Sequence, residues 1–548
     1  MKRILILLVV LVITVTACKQ NHRSAGIARP KLVVGIVIDQ MRWDYLYRYY
    51  NRYGERGFKR LLNNGFACQN TMIPYLPAYT GPGHTCIYTG SVPSIHGIAA
   101  NNWTDNITGE SMYCVDDKLV HLTGDATNAP SMSPRTLLTT TITDELRLAT
   151  NLKSRVYGVA IKDRGSILPA GHLANAAYWY NDHTGDFTTS TYYPNQSPAW
   201  LTAFNKRKLG DSLTRQNWKL LYDANSYDQS TTDANAYEKA FKGEKAPVFP
   251  HVFDTLADTN RYAVLKNIPA GNEFTLQMAR ACMNGEDLGN GADADFLAIS
   301  LSSTDYAGHQ FGPNAMELED MYLRLDKQIA DYLDYLDAKV GKGNYLLFLS
   351  ADHGAAHNTT YLSDLDVPSG LFKTNQVLED MNKYLKEQFG KDSLISNAQN
   401  YQLYLNEKLM TSANIDRDKV KAAITEWLNK RPEVAYVIDM EHIDKAVVPE
   451  PIKSMAINGY NKMRSGSMWI ILDPGWFEGY GGSTTGTTHG TWQPYDTHIP
   501  LLWYGWHVKK GESHQTVYMT DIAATLAAFL HIQMPNGCVG HVITDVIQ

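Results

Sequence analysis

Lys31-Leu32-Val33-Val34-Gly35-Ile36-Val37-Ile38-Asp39 is the stretch on which the fold turns. From Leu32 to Ile38 nothing alternates, so neither face of a strand here could be left in water. Such a run suits a strand buried on both sides in a parallel sheet that helices cover. It closes on an aspartate. Open α/β sheets gather their ligands at the carboxyl ends of their strands, which makes Asp39 a candidate ligand-binding carboxylate. The bland alternative is an N-cap for the polar–aromatic helix expected from Met41 to about Tyr53.

The pattern recurs. Arg155–Ile161 reads as a strand and runs into Lys162-Asp163-Arg164. Two cations at the end of a buried strand are costly without an anion; the alternative is a surface turn. Asp295–Leu301 is the next such run and leads to Ser303-Thr304-Asp305-Tyr306-Ala307-Gly308-His309. Asp305 and His309 stand four apart across a glycine, a spacing that lets both reach one cation. Tyr345–Ser350 is followed by Ala351-Asp352-His353-Gly354, where adjacent Asp352 and His353 again fit metal ligation. A Gly/Thr-rich loop carries His489 ahead of a strand over Ile499–Tyr504.

Between these strands the sequence predicts a helix over Pro134–Thr150 started by Ser133. It also predicts an amphipathic helix from Met316 to about Val340 and a terminal helix near Thr520–Leu530. The expected class is α/β, a central, mostly parallel sheet flanked by helices. Residues from about 166 to 293 lose the strand–helix rhythm and read as insertions covering the sheet edge. Residues from about 364 to 473 read as a small inserted α+β lobe. It would have helices at 375–388 and 416–430 and strands near 401–405, 434–438 and 468–472.

Tyr79-Thr80-Gly81-Pro82-Gly83-His84 is a glycine-rich turn running into a helix, with Thr80 at or near the N-cap. Amide N–H groups and the helix dipole favour an anion there. The Thr80 hydroxyl could attack phosphate or sulfate if its proton were removed. No base neighbours it in sequence, so the activator must come from elsewhere in the fold. Three carboxylates (Asp39, Asp305, Asp352) and three imidazoles (His309, His353, His489), with no thiolate, suit zinc ahead of manganese or iron. The count fits two ions.

The 548 residues carry a net charge of −6, with 44% hydrophobic and 19% charged residues, as in a globular enzyme. That balance argues against non-specific nucleic-acid binding and is silent on a small anionic substrate. Lys2-Arg3 followed by an apolar run from Ile4 to Ile13 reads as an export signal over 1–17. Val15-Thr16-Ala17-Cys18 resembles a bacterial lipobox, with 18–30 as a tether and Cys18 as a lipid attachment point. An ordinary cleavage site with a chance cysteine is the alternative. Cys68, Cys86, Cys114, Cys282 and Cys538 lack CxxC spacing; one or two disulfides stay open.

Asp39, the Thr80 segment, Asp305-x-x-x-His309, Asp352-His353 and Thr488-His489-Gly490 resemble the alkaline phosphatase superfamily. The likeness is nearest to its nucleotide pyrophosphatase/phosphodiesterase branch. Lys162-x-Arg164 and the layout resemble the phosphate-insensitive, monoesterase-type alkaline phosphatases of Gram-negative periplasms. The resemblance covers the chain from Lys31 to the end, residues 31–548, as one catalytic domain. It implies a hydrolase of small phosphate monoesters using two zinc ions. Asp305, His309 and His489 would hold one ion, and Asp39, Asp352, His353 and Thr80 Oγ the other. Thr80 would become a phosphothreonine, and Asn101, Lys162 and Arg164 would bind the phosphoryl oxygens. Unlike the enterobacterial type, the nucleophile is threonine and no third, magnesium site is visible; Lys162 would stand in for that ion's charge. The implied location is the periplasm, with membrane contact only through Cys18. A phosphodiesterase of the same fold stays open as the alternative, and so does a non-catalytic binding lipoprotein.

Overall fold

In the computed structural model the strands of the central sheet, numbered along the chain, are β1 (Leu32–Ile38), β2 (Phe66–Met72), β3 (Val156–Ala160), β4 (Ala176–Asn181), β5 (Asp186–Thr188), β6 (Asp295–Leu301), β7 (Tyr345–Ser350), β8 (His498–Gly505) and β9 (Gly511–Tyr518). The structure describes residues 27–123, 130–194, 197–253, 258–479 and 484–548. The leader, Cys18 and most of the expected tether lie outside the described residues.

The nine strands lie in the order β9-β2-β8-β7-β1-β6-β3-β4-β5. β8 and β5 are antiparallel to their neighbours; the other pairings are parallel. β1 sits in the middle with every residue buried, as its unbroken apolar run requires. Register decides where the site forms. Ile38 pairs with Leu301, Val37 with Ser350 and Ser300 with Ala160, so β1, β3, β6 and β7 end level. The residues just after them therefore meet at one edge.

Helix α1 (Thr80–Thr89) is buried along its whole length. It packs against α2 (Asp163–Ala170), which follows β3, and against the helix Asp521–Leu530. α3 (Ser303–Phe311) and α4 (Met316–Leu336) follow β6. The stripe on α4 is core, with Leu318, Met321, Tyr322, Leu325, Ile329, Tyr332, Leu333 and Leu336 all buried.

Some boundaries differ from the sequence reading. The helix expected over 134–150 is a single 3-10 turn at Pro134–Thr136 and a separate helix at Ile142–Ala149. Thr141 restarts it with a capping box to Asp144, which a threonine run favours over unbroken helix. The helix expected from Met41 is only a short turn at Tyr45–Arg48 and a 3-10 turn at Tyr50–Arg52. The 166–293 stretch does more than cover the edge: it supplies β4 and β5 to the sheet and the long helix Pro269–Gly285. Residues 370–478 contain a separate four-stranded antiparallel sheet with helices Thr374–Phe389 and Arg417–Leu428, packed on its own apolar cluster. The five described cysteines are all free. Among the described residues no helix is long and apolar enough to cross a membrane.

Candidate active site

Each strand end delivers what the register predicts. Asp39 follows β1, Lys162 caps α2 after β3, Asp305 lies in the first turn of α3 after β6, and Asp352 and His353 follow β7. All five are buried. Thr80 is the first residue of α1 rather than its cap; Tyr79, extended, holds the cap position. The Thr80 hydroxyl lies 3.3 Å from Lys162 Nζ and 3.4 Å from His353 Nε2.

Lys162 is the hub. Its ammonium is 2.8 Å from Asp39 Oδ2 and 2.5 Å from Asp305 Oδ2. Burial works against its charge, but the two carboxylates outweigh burial and raise its pKa above the ordinary lysine value. One cation cannot balance Asp39, Asp305 and Asp352 together. Burial, with Asp352 beside it, pushes Asp39 well above the usual carboxylate range; its Oδ1 accepts no hydrogen bond, and the Lys162 ammonium is what faces its Oδ2. Asp352 Oδ2 is likewise without a hydrogen bond. Buried carboxylate oxygens without donors are what a cation site leaves behind.

The histidines complete the case. Nδ1 of His309 is 2.8 Å from Thr487 O, Nδ1 of His353 is 3.0 Å from Gly354 O, and Nδ1 of His489 is 2.7 Å from Ala78 O. With the proton on Nδ1, donated to a backbone carbonyl, every Nε2 presents a lone pair. Those lone pairs face carboxylates: His309 Nε2 is 3.2 Å and His489 Nε2 3.6 Å from Asp305 Oδ1. His353 Nε2 is 3.4 Å from Asp352 Oδ2 and 3.6 Å from Asp39 Oδ1. Lone pairs facing lone pairs repel unless a cation lies between them. Burial and the adjacent His353 ring hold His489 well below the usual imidazole pKa, so it is poised to ligate rather than to carry a proton.

Among the described residues, two groups of side chains have ligand atoms close enough to share an ion: Asp305, His309 and His489, and Asp39, Asp305 and His353. The first is the expected trio. The second puts Asp305 where Asp352 was expected, although Asp352 remains in contact with His353.

Asn101 comes to the first turn of α1, beside Thr80, by accepting a hydrogen bond from Gly81 N at 2.8 Å. Among the described residues its amide donates to nothing. Arg164 is different. Its Nη1 donates to Tyr113 OH at 3.0 Å, and Tyr113 in turn bonds Asp163. No described hydrogen bond joins it to Thr80.

Three positioning residues escaped the sequence reading. Gln40, in the left-handed region at φ 63°, bridges both halves: its backbone N–H donates to Asp352 Oδ1 at 3.1 Å and its Nε2 to Asp305 Oδ1 at 2.8 Å. A Cβ on Gly308 would stand 1.8 Å from the Gln40 amide oxygen, which explains the glycine inside Asp305-x-x-x-His309. His84, one turn after Thr80, lies with Nδ1 3.3 Å from Asp352 Oδ2 and Nε2 2.9 Å from Ser300 Oγ. Tyr113 is the third, through Arg164. The signals were a residue adjoining Asp39 and a histidine four after Thr80; nothing in sequence marks Tyr113.

The site opens into a cavity of about 430 Å³ whose walls include Tyr79, Asn101, His309, His489, Leu371 and Phe477. The last two come from the 370–478 stretch.

Comparison with known proteins shows the family and the fold. The pattern of the family described as type I phosphodiesterase / nucleotide pyrophosphatase matches residues 33–495. A Myroides odoratus protein named calcium-transporting ATPase is 50% identical over 96% of each chain. Alkaline phosphatase PhoV of Synechococcus elongatus is 50% identical over 95% of this chain and 94% of its own. The crystal structure of alkaline phosphatase PafA, 47% identical, superposes with a TM-score of 0.91 over 95% of this chain and 100% of that one.

Proposed function

The chain belongs to the type I phosphodiesterase / nucleotide pyrophosphatase family of the alkaline phosphatase superfamily, and on that footing we propose that it is an exported, zinc-dependent phosphate monoester hydrolase working through a phosphothreonine at Thr80. The relatives named alkaline phosphatases support the substrate class.

The observation that carries the reading is Thr80 Oγ set between Lys162 Nζ and His353 Nε2 beside three buried carboxylates. Asp305, His309 and His489 would hold one zinc, and Asp39, Asp352 and His353 the other, with Thr80 Oγ beside it. Bound there, zinc lowers the pKa of a hydroxyl and offsets charge on a leaving oxygen, which answers the missing base at Thr80. The charges match. Three carboxylates and Lys162 leave two negative charges; two divalent ions turn that into two positive charges, which a monoester dianion neutralises.

The protein's own residues do the rest. Thr80 Oγ bonds to phosphorus as the bond from phosphorus to the leaving oxygen breaks, and the alcohol departs with a proton. Lys162 donates toward the oxygens around phosphorus, and Asn101, fixed by Gly81 N, offers its free amide to another. Water then attacks phosphothreonine, restoring the hydroxyl and releasing inorganic phosphate. Preorganised donors in a dry site lower the barrier because they need not reorient as charge develops. Diester hydrolysis keeps a foothold in one observation: Arg164 bonds Tyr113 rather than the region of Thr80. Export through residues 1–17, a lipid on Cys18 and a periplasmic home complete the proposal.

The test uses purified full-length protein. Turnover of an aryl phosphate should vanish on chelation and return with zinc at about two ions per chain by elemental analysis. Acid quenching during turnover should trap phosphate on Thr80 by mass spectrometry, and Thr80→Ala should abolish it. Full activity after exhaustive zinc removal, or in Thr80→Ala, would overturn the reading.

A further inference from the structure

A second cavity, of about 410 Å³, adjoins the first, and His309 and Lys239 line both. Lys242 and Tyr306 also line the second, and among its described lining residues none is acidic. Glu478, the acidic side chain in the first cavity, is turned into the small lobe, where it accepts from Thr374 Oγ1 at 2.6 Å. Among the described lining residues, anionic groups entering past His309 therefore meet Lys239 and Lys242 with no free carboxylate opposite them.

Lys239 is not a casual surface lysine. Its backbone is fastened at both polar groups to the residue after His309: Lys239 N donates to Gln310 O at 3.0 Å, and Gln310 Nε2 donates to Lys239 O at 2.9 Å. Two residues earlier, Tyr237 O accepts from Gly486 N at 2.7 Å, in the loop that carries His489. Thr231 N donates to Asn314 O at 2.8 Å at the start of the same segment. The segment is thus anchored to both elements that supply His309 and His489. Its lysine side chain is exposed at the junction of the two cavities. The ring of Tyr306, on the second cavity's wall, is flanked by Lys162 Nζ at 5.1 Å and Lys266 Nζ at 5.4 Å, each already paired with a carboxylate, so the charge on offer at the junction is that of Lys239 and Lys242.

We propose that Lys239 and Lys242 form a leaving-group subsite for monoesters that carry a second phosphate, as in sugar or polyol bisphosphates. The proposal rests on the phosphatase reading, which places the transferable phosphoryl at Thr80 and sends the leaving group past His309. The two lysines are specificity-determining: they meet the second phosphate and leave the bond chemistry to the core.

The test compares 4-(phosphonomethyl)phenyl phosphate with 4-methylphenyl phosphate, which differ by one anionic group that cannot itself be hydrolysed. Wild type at low salt should favour the phosphonate by roughly five- to tenfold in kcat/KM, the size expected for two partly solvated ion pairs. The preference should shrink as salt rises. Lys239→Ala with Lys242→Ala should bring the ratio close to one, and the double Arg variant should keep it. A wild-type ratio of one or less, or a ratio unmoved in the double Ala variant, overturns the subsite while leaving the phosphatase reading intact. Hydrolysis of neither compound by the zinc-loaded protein overturns both.

Discussion

The sheet edge and the segments laid over it build the site in different ways. Asp39, Lys162, Asp305, Asp352 and His353 ride on strand ends whose level termination is fixed by register, and all are buried. His489, Lys239, Leu371 and Phe477 arrive on loops and on the inserted lobe. Moving a strand end would cost ladder hydrogen bonds and core packing; moving an overlying segment costs only local contacts. Under the proposed function, bond chemistry would belong to the sheet and substrate choice to the overlay.

The largest effect expected from breaking that division is at Lys162. Lys162→Ala removes the one cation between Asp39 and Asp305 and a donor to Thr80 Oγ. Monoester kcat/KM should fall by roughly 30- to 1000-fold, the range for losing a charged contact in a dry site. A matched aryl diester, with one charge fewer on its transferable group, should lose less. Arg164→Ala should cost less than Lys162→Ala for the monoester, because its guanidinium is already engaged by Tyr113. Equal losses for both substrates in Lys162→Ala would show that this cation does not set the preference for monoesters.

A smaller effect is expected at Gly83. A Cβ there would stand 2.5 Å from Asp352 O and 2.7 Å from its Cβ, so α1 rests directly on the backbone of a candidate metal ligand. Gly83→Ala must push α1 away from that strand end and so separate Thr80 from Asp352. Overpacking of this kind costs about 1–3 kcal/mol of stability, and misplacing a nucleophile costs further rate, roughly 10- to 100-fold. Zinc content by elemental analysis, read beside kcat, distinguishes a displaced nucleophile from a lost ion. Wild-type activity and melting temperature in Gly83→Ala would show that the contact relaxes freely.

The sheet half of this comparison was legible in sequence, and the overlay mostly was not. β1, β6 and β7 are mostly apolar and buried, and each leads within four residues to a side chain of the candidate site, so pattern and chemistry coincide. β2 (Phe66–Met72) and β9 (Gly511–Tyr518) carry Gln69, Asn70, Glu512, His514 and Gln515. A strand at or next to a sheet edge tolerates polar side chains, which erases the apolar run that marks a central one. β4 was missed for another reason: Ala176-Ala177-Tyr178-Trp179-Tyr180 is fully buried but lies in a region crowded with polar residues. Gln40 was marked only by adjoining Asp39, and Tyr113 not at all, because their partners stand hundreds or tens of residues away, which no spacing records. Arg164 shows the reverse: a cation two after Lys162 whose guanidinium turns to Tyr113.

The smallest expected effect lies in the overlay, under Lys239. His251 is buried among Trp218, Phe241, Phe249 and Phe311, with Nδ1 3.2 Å from Glu244 and Nε2 3.2 Å from Glu317. Burial alone would lower its pKa, but hydrogen bonds to the two carboxylates overcome burial and raise it to about 9. Glu238, next to Lys239, is pushed up to about 9 by burial and by the nearby Glu317 carboxylate, with Asp233 adding to it. Both shifts have the same sign. A raised histidine stabilises the fold fully below its unfolded pKa of about 6.5 and loses that contribution as pH rises through about 9. A raised glutamate stabilises below about 4.5 and likewise loses its contribution as pH rises through about 9. The fastening of the 231–253 segment onto α4 should therefore weaken on the alkaline side. Glu238→Gln keeps an acceptor for Asn235 and cannot ionise. Its melting temperature should match wild type near pH 4 and exceed it by a degree or two, roughly, above pH 9. Parallel melting curves across that range would mean that Glu238 ionises without strain, and the overlay would then be as firmly held at alkaline pH as the sheet beneath it.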